Sequence, residues 1–172
     1  MAFCCIKIMK FILVGIVALF SLSFMVDNTL SVDDNKKEKV KKDKNQIKGE
    51  KFLKKNAKKR GVVTLESGLQ YKVLKEGTGE KPNINSDIKA HYVGWTIKGQ
   101  KFDSSRDRGK AFVFKPTRVI KGWQEAIQLM PVGSTWELYI PGYLAYGEKG
   151  AGDLIEPNSV LIFEVELLEI IK

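Results

Sequence analysis

Three turn-rich stretches of this chain carry more aromatic and branched aliphatic side chains than turns ordinarily hold. Phe102-Asp103, followed by Ser-Ser-Arg-Asp-Arg108-Gly, is one, and Val119-Ile120-Lys-Gly-Trp123 is another. Gly142-Tyr143-Leu-Ala-Tyr146-Gly147, with a glycine-rich loop running on to Pro157, is the third. Nucleophilic and metal chemistry are poorly provided for. Cys4 and Cys5 are adjacent, stand ahead of an apolar run, and cannot supply a disulfide framework or a metal site to the rest of the chain. His91 is the single histidine, so a His-based metal centre has no support and no metal is expected. Taken singly, Trp123, Phe112 and Phe163 read as core residues, because large aromatics dominate cores. Asp103 taken alone reads as a turn residue, and His91 as a structural strand residue.

The elements that must position these groups are visible in the hydropathy pattern. Alternation at Leu69-Gln-Tyr-Lys-Val-Leu74 predicts a half-buried strand. Further strands are predicted at Ile88–Ile97, Phe112–Phe114, Thr135–Ile140 and Val160–Ile171, with turns at Gly77–Asn83 and Lys98-Gly99. One stretch, Trp123–Met130, has helical character: Trp123, Ile127 and Met130 share a face, and Pro131 stops it. The fold class is therefore α+β, with about five antiparallel strands and one short helix packed on a face of the sheet. Glu164, Glu166 and Glu169 on the last strand read as its solvated face.

Charge divides the chain. Residues 1–60 hold fifteen Lys/Arg and six Asp/Glu, a net of +9, while residues 61–172 hold fourteen of each. Lys7 and Lys10 precede an uncharged run of sixteen residues, Phe11–Val26, which is the layout of a signal peptide. The run is short for a spanning helix, and the alternatives are a cleaved export signal or a membrane anchor over residues 1–26. Residues 27–60 form a basic linker. Asp27–Lys44 has too few apolar residues to fold. Asn45–Arg60 turns helical, with Ile47, Phe52, Leu53 and Ala57 as a thin stripe that docks on the domain or on a second copy, and Gly61 at the C-cap position. Residues 61–172 are then the folded domain.

Four blocks, in order, resemble the FKBP-type peptidyl-prolyl isomerases: His91-Tyr-Val-Gly-Trp running through Gly99-Gln-Lys-Phe-Asp-Ser-Ser-Arg-Asp-Arg108, then Val119-Ile-Lys-Gly-Trp123, Ala145-Tyr-Gly147, and Leu161-Ile-Phe-Glu-Val-Glu-Leu167. The resemblance covers Gly68 to Leu168, and the lead-in Gly61–Tyr71 is similar to the bacterial macrophage infectivity potentiator branch. It implies a curved antiparallel sheet wrapped around the short helix. It further implies a pocket of Tyr92, Phe102, Phe112, Val119, Trp123, Ile155 and Phe163 that binds substrate, with Asp103, Ile120 and Tyr146 as the catalytic groups. Trp123 would open the helix and form the pocket floor. Ile120 would offer its backbone N–H to a substrate carbonyl, the Tyr146 hydroxyl would donate a second hydrogen bond, and Arg108 would partner Asp103. At the position where some members carry a loop histidine this chain has Ala151, which bears on affinity for macrolide inhibitors.

The physical account stands beside the resemblance. Rotating an X-Pro bond must cross a barrier of about 18–20 kcal/mol set by amide resonance. The twisted transition state loses that resonance and is less dipolar. An apolar, water-poor pocket disfavours the planar ground state more than the twisted one, and hydrogen bonds fitted to the twisted geometry add differential binding. No nucleophile, metal or cofactor is required. The expected partners are proline-containing polypeptides and macrolide inhibitors, with no nucleic acid, possible membrane anchoring through residues 11–26, and a monomeric state. The expected location is outside the cytoplasm, periplasmic or membrane-anchored. A competing reading, a non-catalytic peptide-binding module or holdase chaperone, would use the same pocket without turnover.

Overall fold

The computed structural model describes residues 43–171. The leader expected at residues 1–26, the linker up to residue 42 and Lys172 lie outside the described residues. In chain order the elements are α1 (Lys44–Asn56), β1 (Val62–Thr64), β2 (Gln70–Lys75), β3 (Asp87–Thr96), β4 (Lys101–Ser104), β5 (Phe112–Phe114), α2 (Lys121–Leu129), β6 (Thr135–Ile140) and β7 (Leu161–Ile171). Single 3-10 turns occupy Pro116–Arg118, Gly142–Leu144 and Gly147–Lys149. The seven strands form one antiparallel sheet in the order β1-β2-β6-β7-β3-β4, and β5 also pairs with β3.

The two long strands make the sheet's centre. β3 alternates half-buried and buried residues along its whole length, and β7 does so from Leu161 to Leu167. Their pairing runs from Asp87 opposite Ile171 to Thr96 opposite Leu161. This period of two turns Ile88, Ala90 and Tyr92 of β3, and Leu161, Phe163, Val165 and Leu167 of β7, into one core. α2 supplies the other layer through Trp123, Ala126 and Ile127, with Met130 at its end. Gly122 lets α2 sit close, since a Cβ there would lie 2.5 Å from Ile140 Cγ2.

The sheet has seven strands where about five were expected. The two additional ones are β1 and β4. β1 is three residues long, and β4 falls in a stretch read as a turn, where a register shift at Gly94/Trp95 breaks the pairing that alternation would reveal. α2 begins at Lys121 rather than at Trp123, which is its third residue.

α1 ends at Asn56, short of the Arg60 expected, and Gly61 takes φ +82° in the turn before β1 instead of capping the helix. Buried Asn56 accounts for the docking of this polar helix on the domain. Its Nδ2 donates to Gln70 Oε1 (3.0 Å), and Gln70 Nε2 donates back to Leu53 O (3.0 Å). Asn45 Nδ2 reaches Pro157 O at 3.1 Å, and the Phe52 and Tyr139 rings lie 6.1 Å apart. Gly49 approaches so closely that a Cβ would stand 2.6 Å from Val160 Cγ2. Among the described residues no helix is long and apolar enough to cross a membrane.

Candidate active site

A cleft of about 560 Å³ is lined by Tyr92, Phe102, Asp103, Phe112, Arg118, Val119, Ile120, Trp123, Tyr146 and Phe163. Five strands and loops from across the sequence meet there: β3 gives Tyr92, β4 Phe102 and Asp103, β5 Phe112, β7 Phe163, and the loop after β6 Tyr146. The start of α2 and the turn before it give Val119, Ile120 and Trp123. Nine of the ten residues anticipated for the site line this cleft. Ile155 does not: it is buried in the hydrophobic core, where its backbone bridges Ala151 (Ala151 N to Ile155 O, 2.9 Å) and ties down the loop after Tyr146.

The walls are aromatic and interlocked edge to face. Trp123, 3% exposed, meets the Tyr92 ring at 5.2 Å and 87°, and the Phe163 ring at 5.3 Å and 84°. Phe102 meets Phe163 at 5.5 Å and 88°, and Phe112 meets Tyr92 at 5.7 Å and 71°. Such pairings contribute about 0.5–1.5 kcal/mol each beyond the area they bury, so the cleft's shape is set before anything enters it. The arrangement depends on Gly94 of β3. A Cβ there would fall 2.7 Å from Phe102 Cζ and 2.8 Å from Phe163 Cε1.

A charged cluster closes one side. The Tyr92 hydroxyl donates to Asp103 Oδ2 at 2.5 Å, Arg108 Nη1 donates to Asp103 Oδ1, and Arg108 Nη2 donates to the Tyr92 oxygen at 2.8 Å. Ser104 N–H adds a bond to Asp103 Oδ1 (2.8 Å), and the Arg108 guanidinium stands over the Tyr92 ring at 5.6 Å. Partial burial pushes the Asp103 carboxyl up. The hydrogen bonds from Tyr92 and Arg108, the Arg108 charge and Ser104 N–H outweigh that, and hold it below the ordinary carboxylate range. Burial, then the hydrogen bond to Asp103, raises the Tyr92 phenol. Tyr146 is raised by burial and by the Asp103 charge.

Two donors are left without partners. The Ile120 carbonyl accepts from Trp123 N (2.9 Å) and Gln124 N (3.1 Å) to start α2, while the Ile120 N–H makes no hydrogen bond among the described residues. The Tyr146 hydroxyl likewise has none there, and the residue is 42% exposed. An apolar cleft with two free donors on its walls can receive a carbonyl-bearing chain whose ring or aliphatic side chain fills the aromatic base. Among the described residues no group of three His, Cys, Asp or Glu is placed to hold a metal ion.

Three contributors escaped the sequence reading. Arg118 lines the cleft, and its guanidinium makes no ion pair among the described residues. Gln124 Nε2 donates to Val119 O (2.8 Å) and so fixes the Val119-Ile120 edge. Ser105, fully buried, accepts from Tyr92 N (2.8 Å), donates to Tyr92 O (3.2 Å) and lies 3.0 Å from His91 Nδ1. No pattern in the chain marks Ser105 or Gln124, since each acts on a backbone group that only the fold brings near. Arg118 could have been noticed from its place next to Val119.

Residues 78–168 match the model of the FKBP-type peptidyl-prolyl cis-trans isomerase, and residues 24–73 match the domain amino terminal to it. The chain is 54% identical to the FKBP-type peptidyl-prolyl cis-trans isomerase FkpA of Aeromonas hydrophila, over 80% of its own length and 53% of the relative's. It is 46% identical to the outer membrane protein MIP of Legionella longbeachae, over 77% of its length and 57% of that protein's. The chain thus spans little more than half the length of these curated relatives. The crystal structure of a peptidyl-prolyl cis-trans isomerase from Pseudomonas syringae superimposes with a TM-score of 0.70 at 38% identity, covering 74% of this chain and 93% of that one. On the matched model, the shared fold and the identity to these relatives, the chain belongs to the FKBP-type peptidyl-prolyl cis-trans isomerase family.

Proposed function

We propose that this chain is an exported peptidyl-prolyl cis-trans isomerase that assists protein folding, rotating X-Pro bonds without covalent chemistry. The observation that carries the reading is the pair of unpartnered donors, Ile120 N–H and the Tyr146 hydroxyl, on the walls of an aromatic cleft. Proline enters the base formed by Tyr92, Phe102, Phe112, Val119, Trp123 and Phe163. Ile120 N–H takes a carbonyl of the substrate and so fixes the chain on one side of the bond. Tyr146 donates to a second oxygen, and Asp103, held by Tyr92 and Arg108, borders the turning amide. Ile155 acts indirectly, by seating the Tyr146 loop. The cleft is walled mainly by aromatic and aliphatic groups, and the planar amide is the more dipolar form, so the twisted state loses less on entering it. Two fixed donors that fit the twisted geometry add to that difference.

Such an activity removes a slow folding step, because uncatalysed X-Pro isomerisation takes tens of seconds or more. The location outside the cytoplasm is supported by the layout of residues 1–26 and by the name of the Legionella relative, an outer membrane protein. Fractionation of cells producing the full chain tests it: recovery in the cytoplasm alone would refute export. The protein acts as a monomer, a reading supported by α1 spending its buried residues on its own domain; sedimentation of the full chain checks that.

The decisive experiment follows isomerisation of a short X-Pro peptide by the full chain, using exchange NMR, with and without a macrolide inhibitor. Catalysis blocked by the macrolide is the expected result. Catalysis without inhibition would place the difference in the loop around Ala151. A folded chain that binds peptide and does not speed exchange would be a binding module or holdase instead.

A further inference from the structure

A second surface shares no residue with the cleft. Between residues 44 and 60 stand eight Lys/Arg and one carboxylate, Glu50. All eight cations are exposed, and the ion pairs within residues 61–171 are made by other cations. Lys48 contributes to lowering Glu156, but that carboxylate's ion pair goes to Lys98. At about 100° per residue, Lys44, Lys48, Lys51 and Lys55 fall on one side of α1. Lys58 follows in the turn just beyond it. The docked residues Asn45, Gly49, Phe52 and Asn56 lie roughly a third of a turn away, so the cations face outward while the helix is held by its other side. Residues 61–172 are neutral overall, so no distant excess of acid offsets this stripe.

Ile47 lies beside the cations and is 54% exposed. An exposed aliphatic among lysines on a docked helix is the composition of a helix that lies on an anionic bilayer, cations at the phosphates and the aliphatic group between headgroups. A nucleic acid would answer the charge equally well. Two features choose the bilayer: the large exposed group is aliphatic rather than a stacking aromatic, and an apolar run with lysines ahead of it stands upstream at residues 11–26. We propose that the outward face of α1, carrying Lys44, Lys51, Lys55, Lys58 and Ile47, is a docking surface for anionic phospholipid bilayers that holds the isomerase cleft at a membrane.

The apolar run could enter a bilayer by itself, so the test reads charge dependence in the full chain. Co-sedimentation is measured with vesicles of phosphatidylcholine alone and with vesicles containing phosphatidylglycerol. Binding to the anionic vesicles should be stronger by about tenfold or more, and the excess should vanish at high salt. The variant K51E/K55E/K58E should lose that excess while still turning over an X-Pro peptide at the parent rate, which shows that it is folded. Trypsin cleavage between residues 44 and 60 should slow on anionic vesicles only. Equal binding to both vesicle types, or parent-like binding by the triple variant, would overturn the proposal. So would capture of duplex DNA at a salt concentration where the anionic vesicles are not bound.

Discussion

Asp103 is the residue where the site's charge, shape and orientation meet. Its pair with Arg108 is well exposed, 52% and 40% for the two side chains, so it adds little to stability. Its work is to hold the Tyr92 hydroxyl and to border the cleft. Asp103→Ala should therefore lower kcat/KM for an X-Pro peptide several-fold while moving the melting temperature little, measured by exchange NMR and thermal denaturation together. The pH dependence follows from the lowered carboxyl. A carboxyl that is more acidic folded than unfolded contributes above its unfolded pKa of about 3.9, and the contribution is lost as pH falls through the depressed folded value. Turnover should therefore hold through mildly acidic solution and fail only below about pH 4, a failure that Asp103→Asn should remove by already lacking the charge. Tyr146→Phe deletes one donor aimed at substrate, and a hydrogen bond of about 1 kcal/mol corresponds to a loss of about fivefold in kcat/KM with the fold intact. Parent-like turnover in Tyr146→Phe would show that its hydroxyl does not act on substrate. Asp103, Tyr146 and Trp123 were legible in the sequence because each stands in a block whose neighbours fix its register. Ser105 and Gln124 were not, because a serine in a turn and a glutamine on a helix have no sequence signal for the strand backbone they hold.

At the scale of elements, legibility followed length and regularity. β3 and β7 were read within one residue at each end, since ten and seven residues of alternation leave little choice of face. β4 was missed because the bulge beside Gly94 shifts the register there, and β1 because Val62-Val63-Thr64 shows no alternation, whereas the equally short β5 alternates around Val113 with a phenylalanine on each side. α1 was expected as a polar helix with a thin apolar stripe, and the hydrogen bonds of Asn56 and Gln70 join Phe52 of that stripe in attaching it. Asn56→Ala would leave the Gln70 Oε1 acceptor buried without its partner, which costs about 1–3 kcal/mol. The expected result is a fall of several degrees in melting temperature with peptide turnover close to the parent's, because neither residue lines the cleft. Gly94→Ala should lower stability and turnover together. Its Cβ would press on the Phe102 and Phe163 rings, so overpacking of about 1–3 kcal/mol would accompany a marked loss of turnover as the aromatic base deforms. Comparing the two variants by calorimetry and exchange NMR separates an element that stabilises from one that shapes the site.

The whole molecule depends on the order in which its strands meet. β7 lies between β6 and β3, so it alone joins the pair formed by β2 and β6 to the group formed by β3, β4 and β5. It is also the last strand in the sequence. β2 and β6 are separated by most of the cleft-forming residues, and β3 and β7 by a slightly longer stretch, so loop closure must precede most of the burial that rewards it. Folding should accordingly be slow for a domain of this size, in the millisecond-to-second range seen for sheets built from distant pairings. A chain ending after Val160 would retain α2, both halves of the sheet and every cleft residue except Phe163, yet would leave β3 and β6 each without the strand that joins them. It should show no cooperative thermal transition and no catalysis, monitored by near-ultraviolet circular dichroism and peptide exchange. Adding the missing strand as a separate peptide of residues 161–171 should restore both signals in proportion to its concentration. Cooperative unfolding of the truncated chain without the peptide would mean that the two halves of the sheet are held by α2 rather than by β7.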